Sequence, residues 1–315
     1  MTIPRFAKNQ HMNNKDKAEK LLEDYNDVFA DIVNTLLFDG VSVIKEDSLE
    51  ESKVNSIYKA EDSKLHEQER DISKYWKDGG LNLLIIGIEN QTRVDRLMPA
   101  RIIGYDGASY RSQLLKTDDR GIKARITPVI TIVLYFGTRR WNQPKSLKGI
   151  VDIPKGLEDY VNDYKINLFE IAYLDREIID SFKSDFWILA DYLYQMRVNK
   201  NYVADKKSIA HIEELLMLMS AMTGDKRFEE IIDEANTKEV VNMCEVLDIV
   251  EARGIEKGIE KGREKGREEG ADIISRLNTI LAKEGDLDKI IKANTDKKYR
   301  NELLKKYNLL RDYEK

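Results

Sequence analysis

The amino-acid sequence predicts an α/β protein: a mixed sheet interleaved with helices up to about residue 150, then a helical extension. Three observations carry this. Two β-type apolar runs, 81–89 and 126–136, flank a segment that reads as a helix. Gly79-Gly80 supplies the reversal for a hairpin whose first strand is 70–77. Helical periodicity then dominates from 178 to the end of the chain.

Taken in order, residues 15–38 form the first helix, because Leu21, Leu22, Tyr25, Val28, Phe29, Ile32, Val33, Leu36 and Leu37 recur at three- and four-residue spacing. Asp39-Gly40 ends it. Short β-type pieces follow at 41–44 and near 54–58. The run 81–89 is almost continuously apolar, as a strand covered on both faces must be. Pro99 suits a first helical turn, so the second helix spans 99–115. After a charged loop, 126–136 is rich in Ile, Val and Thr and is closed by Gly137. Residues 166–174 offer one more strand. Helices are expected through 178–198, 208–222 and 239–250, and charged peripheral helices at 286–292 and 296–311. These elements group into a core over 15–150, a mostly helical extension over 151–250, a glycine-repeat helix or linker over 251–272, and C-terminal helices over 273–315.

In that repeat Gly254, Gly258, Gly262, Gly266 and Gly270 recur every four residues. Against 3.6 residues per turn, such a line winds around a helix. Each glycine costs roughly 1 kcal/mol relative to alanine. The repeat therefore reads either as a marginal solvated helix or as a helix that packs closely against a second copy.

Composition narrows the function classes. The chain has 315 residues, of which 42% are hydrophobic and 35% charged, with 52 basic against 57 acidic residues for a net charge of −5. That pattern excludes disordered, collagen-like and membrane classes, and predicts a cytoplasmic protein with no membrane partner. The single Cys244 excludes an internal disulfide and reads as a small buried hydrophobe. His11, His66 and His211 lack metal-ligand spacing, and neither a phosphate-binding glycine loop nor a serine-nucleophile elbow is present.

What remains is carboxylate chemistry. In a hairpin turning at Gly79-Gly80, cross-strand partners sum to about 160, which sets Asp71 opposite Glu89. Opposed residues share a face with Cβ atoms about 5 Å apart, and Gln91, two residues on, shares it too. Like charges that close call for a cation, and oxygen-only donors suit Mg²⁺ or Mn²⁺. Just downstream, residues 93–148 hold 12 Lys/Arg against 4 acidic residues, a net of +8, while the rest of the chain carries −13. Carboxylates for a metal followed by cations for flanking phosphates is the arrangement a phosphodiester-cleaving site needs. Tyr105, Tyr110 and Trp141 could stack on bases, although core packing suits the tyrosines better.

The segments GIENQTRVDRLMPARIIGYDGASYRSQL (87–114) and TPVITIVLYFGTRRWNQPKSL (127–147) resemble the recombination-promoting nuclease (Rpn) family of PD-(D/E)XK nuclease transposases. The resemblance extends from about residue 20 to the glycine repeat and implies a restriction-endonuclease-like αβββαβ core. It also implies that Asp71 and Glu89 are catalytic metal ligands. Gln91 stands where many PD-(D/E)XK enzymes carry a lysine that positions water, and Lys74 points to the opposite face by strand parity. Asp27 and Asp31, four apart on the first helix, are candidates for a further ligand. Arg93, Arg96, Arg101, Arg111, Gln113, Arg139 and Arg140 are candidates for DNA contact. The implied function is a Mg²⁺-dependent DNA endonuclease linked to recombination or mobile elements. The alternatives are a catalytically weak nuclease fold kept for DNA binding and self-association through the C-terminal helices, and a C-terminal arm with a regulatory role.

Overall fold

The computed structural model describes residues 22–52, 56–59, 65–68, 71–114 and 125–309. His11, the start of the first helix at 15–21, residues 54–55 of the expected second β-piece, residue 70 and the charged loop at 115–124 lie outside them. The chain divides into two compact units, Met1–Leu247 and Asp248–Lys315.

The first unit is a mixed α/β structure. Helix α1 (Asn26–Leu37) precedes β1 (Leu49–Glu51), then come β2 (Ser56–Lys59) and β3 (Leu65–Gln68), β4 (Ile72–Asp78), β5 (Leu81–Gln91), α2 (Met98–Leu114), β6 (Val129–Tyr135) and β7 (Asn167–Glu170). Five strands form one sheet in the order β1-β4-β5-β6-β7, while β2 and β3 pair separately. β1, β4 and β5 are antiparallel neighbours; β5, β6 and β7 are parallel. A parallel neighbour requires a crossover, and α2 supplies the one between β5 and β6.

Residues 41–44 are not a strand. The buried Asn34 side chain binds their backbone instead: Nδ2 donates to Ile44 O (2.8 Å), and Oδ1 accepts from Val43 N (3.1 Å) and Ile44 N (2.8 Å). The first sheet strand is the short β1, and the sheet continues beyond residue 150 to β7. Residues 171–173 leave that strand as a tight helical turn.

Residues 85–90 of β5 are buried without interruption, because the sheet is covered on both faces. On one face α2 contributes Met98, Ile102 and Tyr105 to a cluster with Val133, Tyr135, Trp141 and Ile166. Tyr135 and Trp141 meet edge to face at 5.2 Å, so Trp141 is a core residue. The opposite face carries Ile72, Lys74, Ile86 and Ile88, whose cross-strand register places them on one side. There buried Lys74 donates to Asp24 O (2.6 Å) and Asn26 Oδ1 (2.8 Å), and stands 5.6 Å from the Phe29 ring. Lys74 therefore ties α1 to the sheet, on the face its strand parity predicted.

The helical part of this unit contains α3 (Arg176–Ser181), α4 (Phe186–Val198), α5 (Ile212–Thr223), α6 (Arg227–Glu230) and α7 (Ile232–Thr237). The run expected at 178–198 is thus two helices, and Phe182 between them packs on Phe186 at 5.0 Å. Cys244 is half-buried rather than buried, its Sγ 3.6 Å from the carbonyls of Ala204 and Asp205.

The glycine repeat is helical throughout, inside the 41-residue α8 (Met243–Lys283). α9 (Leu287–Thr295) and α10 (Lys297–Lys306) follow, each capped by an aspartate: Asp286 accepts from Lys289 N, and Asp296 from Lys298 N and Tyr299 N. Leu277, Leu281, Ala293, Leu303 and Leu304 form the core of the C-terminal unit. Residues 254–268 are exposed all round, and a Cβ at any of the five repeat glycines would meet nothing within 4 Å. Substituting Gly258, Gly262 and Gly266 together by alanine should therefore stabilise α8 by roughly 1 kcal/mol per site. Thermal melts followed at 222 nm test this; a lowered midpoint would contradict it. Among the described residues no helix is long and apolar enough to cross a membrane.

Candidate metal centre

The β4–β5 hairpin keeps the register expected from the sequence, with Ile72 opposite Ile88 and Trp76 opposite Leu84. A bulge between Trp76 and Lys77 changes the pairing only near the turn, where Asp78 faces Leu81. Asp71 lies one residue before β4, and its Oδ2 accepts from Asn90 N at 2.7 Å. Its carboxylate is thereby fixed at the carboxyl end of β5, beside Glu89.

Glu89 is 1% exposed. Gln91 Nε2 donates to its Oε1 at 3.0 Å, and Arg101 of α2 pairs with the same oxygen. Arg101 also donates to Asp95 Oδ2 and Tyr105 Oη, at 3.2 and 3.1 Å. The second carboxylate oxygen, Glu89 Oε2, is buried with no hydrogen-bond partner among the described residues. Burial, followed by the nearby Asp71 charge, pushes the Glu89 carboxyl up to about 8 against the opposing pull of Arg101. At neutral pH that bias favours the protonated form, and added positive charge would favour the carboxylate.

The strand's other face adds a residue that the sequence reading missed. Asn90 Nδ2 donates to Glu23 Oε2 at 2.6 Å, while its backbone N–H holds Asp71. Glu23 is fully buried just ahead of α1. Asn90 thus links the entry to α1 with the Asp71 carboxylate, a role that periodicity in one strand or one helix does not reveal.

The candidate further ligands go elsewhere. Asp31 accepts from Lys183 N and from Ser184 N and Oγ, at 2.6–3.0 Å, and so orders the loop before α4. Asp27 pairs with His211 at 3.1 Å, where the His211 ring also stacks on Tyr25. Neither joins Asp71 and Glu89, and among the described residues no three His, Cys, Asp or Glu side chains gather as a metal cage.

The basic candidates separate along the sheet. Arg93, Arg96 and Arg101 lie at or near the start of α2, at the Glu89 end, and Arg139 and Arg140 follow β6 at the same carboxyl edge. Arg111 and Gln113 lie ten and twelve residues beyond Arg101 on α2, about 15 to 18 Å along the helix axis. Gln113 is occupied there, donating to Thr127 O (3.0 Å) and accepting from Thr127 N (2.6 Å). That pair fastens α2 to the start of β6, so Gln113 is a structural residue. Tyr110 Oη likewise accepts from Val129 N (3.1 Å), and Tyr105 is buried in the α2 cluster.

Residues 76–224 match the family described as "Putative transposase, YhgA-like". Over that stretch the chain is similar to this family, in keeping with the Rpn-like PD-(D/E)XK resemblance of its central segments. The matched residues include Glu89, Gln91, Arg101, Arg139 and Arg140; Asp71 lies five residues ahead of them. No curated protein and no solved structure matches the chain.

Proposed function

We propose that this protein is a divalent-cation-dependent DNA endonuclease of the PD-(D/E)XK type, acting in recombination or in a mobile element. The observation that carries the reading is the convergence of Asp71 and Glu89 at the carboxyl edge of β5, with Gln91 and Arg101 on Glu89. The chain order of helix, antiparallel β1-β4-β5, crossover helix α2 and parallel β6 supports it, as does the family of residues 76–224.

The donor set is hard oxygen throughout, and Glu89 Oε2 is buried without a hydrogen-bond partner among the described residues, so the residues fit Mg²⁺ or Mn²⁺. Asp71 and Glu89 would hold the ion, with water and a substrate phosphate completing its shell. When bound, such an ion acidifies a water and offsets charge developing on the phosphate. Gln91 can orient a water by hydrogen bonding but has no proton to exchange, so it is a positioning group and not a general base. Arg101 pairs with Glu89 and with Asp95, and would present a cation beside the reacting phosphate. Arg93, Arg96, Arg139 and Arg140 line the same edge and would hold the flanking backbone.

Gln91 also favours a second reading, a nuclease fold retained for DNA binding. One experiment separates them: supercoiled plasmid incubated with the full chain in EDTA, Mg²⁺, Mn²⁺ or Ca²⁺. Nicking in Mg²⁺ or Mn²⁺ and none in EDTA is expected. Salt-sensitive binding without nicking in any metal would replace the first reading with the second.

A further inference from the structure

Parallel pairing sets Gln91, Tyr135 and Glu170 side by side in one row, because Gln91 is registered with Tyr135 and Tyr135 with Glu170. At about 4.8 Å per strand, Glu170 stands roughly 10 Å from Gln91 along the carboxyl edge. The chain just past that row builds a basic, aromatic feature that the hydrolytic chemistry does not use. Tyr173, in the turn after β7, donates from Oη to Thr138 O at 2.9 Å, which fixes its ring against the loop after β6. Two guanidinium groups lie against this one ring: Arg140 at 4.1 Å from its centre and Arg197 of α4 at 4.7 Å. Arg197 is held in place by donating from Nε to Ala172 O at 2.6 Å.

Neutralisation here is incomplete. Glu170 is the carboxylate near Arg140, at 3.4 Å, and it is shared with Lys145 at 3.7 Å and with Trp141 N at 2.7 Å. Arg197 has no carboxylate within ion-pair distance among the described residues, and the Arg140 side chain is 64% exposed. Two planar cations on one aromatic ring, with surplus positive charge, complement an anion that takes forked hydrogen bonds.

We propose that Arg140, Tyr173 and Arg197 form a clamp for a backbone phosphate of the DNA strand that crosses the Asp71–Glu89 edge. The clamp rests on the reading of that edge as the cleavage site. Because backbone phosphates wind around the duplex axis, neighbours on one strand lie about twice the 3.4 Å axial rise apart, so a separation of roughly 10 Å places the clamped phosphate one or two nucleotides from the reacting one. The clamp sets the register of the strand and carries no base preference.

The test is binding of a fluorescein-labelled 20-base-pair duplex to the full chain in Ca²⁺, measured by anisotropy at several salt concentrations. Arg140→Ala should weaken binding about tenfold and lower the slope of log affinity against log salt by about one. Arg197→Lys keeps the charge but loses the fork, so it should weaken binding with little change in slope. Lys155→Ala, which removes an exposed charge that is no part of the clamp, should change neither. Arg140→Ala and Arg197→Lys proteins that bind as tightly and as salt-dependently as wild type would overturn the clamp, and so would a wild-type chain that does not bind duplex. If the Arg140 effect appears while wild type nicks no plasmid in Mg²⁺ or Mn²⁺, the clamp stands and the hydrolase reading alone fails.

Discussion

Glu89→Gln is expected to abolish metal-dependent cleavage while making the protein more resistant to unfolding above neutral pH. The loss of activity follows from removing one of two carboxylates that would hold the cation. Several kcal/mol of transition-state charge stabilisation is at stake, so the rate should fall on the order of 10³-fold. The stability effect has the opposite sign because Glu89 is a buried acid. Its carboxyl is raised from 4.5 to about 8 in the folded chain, chiefly by burial and then by Asp71. Between those values the native state binds the extra proton, so the group's stabilising contribution is complete below about pH 4.5 and is lost as pH rises through 8. Glutamine resembles the protonated acid and does not titrate. Variant and wild type should therefore melt together near pH 4.5 and diverge with rising pH, by on the order of 3 kcal/mol at pH 7. For the same reason wild-type cleavage should increase toward about pH 8, since cation and proton compete for one carboxylate. Parallel melts and nicking rates from pH 5 to 9 check both halves; a Gln variant that cleaves normally would remove Glu89 from the site.

Asn34→Ala is the second large effect, and it falls on folding. One buried side chain satisfies the N–H and C=O of buried Ile44 together with the N–H of Val43. Alanine cannot reach any of them, and orphaned buried polar groups cost about 1–3 kcal/mol each. With Val43 near solvent and able to rehydrate, a total of about 3 kcal/mol is expected. In a unit of this size that lowers the melting temperature by roughly 6–12 °C. Thermal denaturation measures it, and a shift below 1 °C would show that the 41–44 segment is held by other means.

The same asparagine explains what the sequence misrepresents. Val41-Ser-Val-Ile44 has strand-like composition, yet its polar backbone is satisfied by a side chain from α1 and not by a neighbouring strand. The true first strand, Leu49-Glu50-Glu51, is three residues long and lacks the alternation that marks a half-buried strand. By contrast, the site hairpin was legible because register in an antiparallel pair is arithmetic: once Gly79-Gly80 makes the turn, Asp71 must approach Glu89. The bulge at Trp76/Lys77 moves only the residues beside the turn.

Partners distant in sequence were not legible. Asp27 and Asp31 look alike on a helical wheel, but residues 184 and 153 positions away, His211 and Ser184, claim them. Glu23 carries no pattern of its own, and its importance appears only through Asn90. The positive segment 93–148 likewise reads as one block, although helix geometry splits it. Arg101 reaches Glu89, while Gln113, three turns later, binds the opposite end of β6.

The most direct test of the central claim is nicking of supercoiled plasmid by wild-type and Asp71→Ala chains side by side, in Mg²⁺ and in EDTA. Asp71 lies just ahead of β4 at the sheet edge and is only half-buried, so the fold of the variant is checked alongside by its thermal melt. The account predicts Mg²⁺-dependent nicking by wild type and a rate at least about 10³-fold lower for a well-folded variant. Equal nicking by both proteins would contradict it.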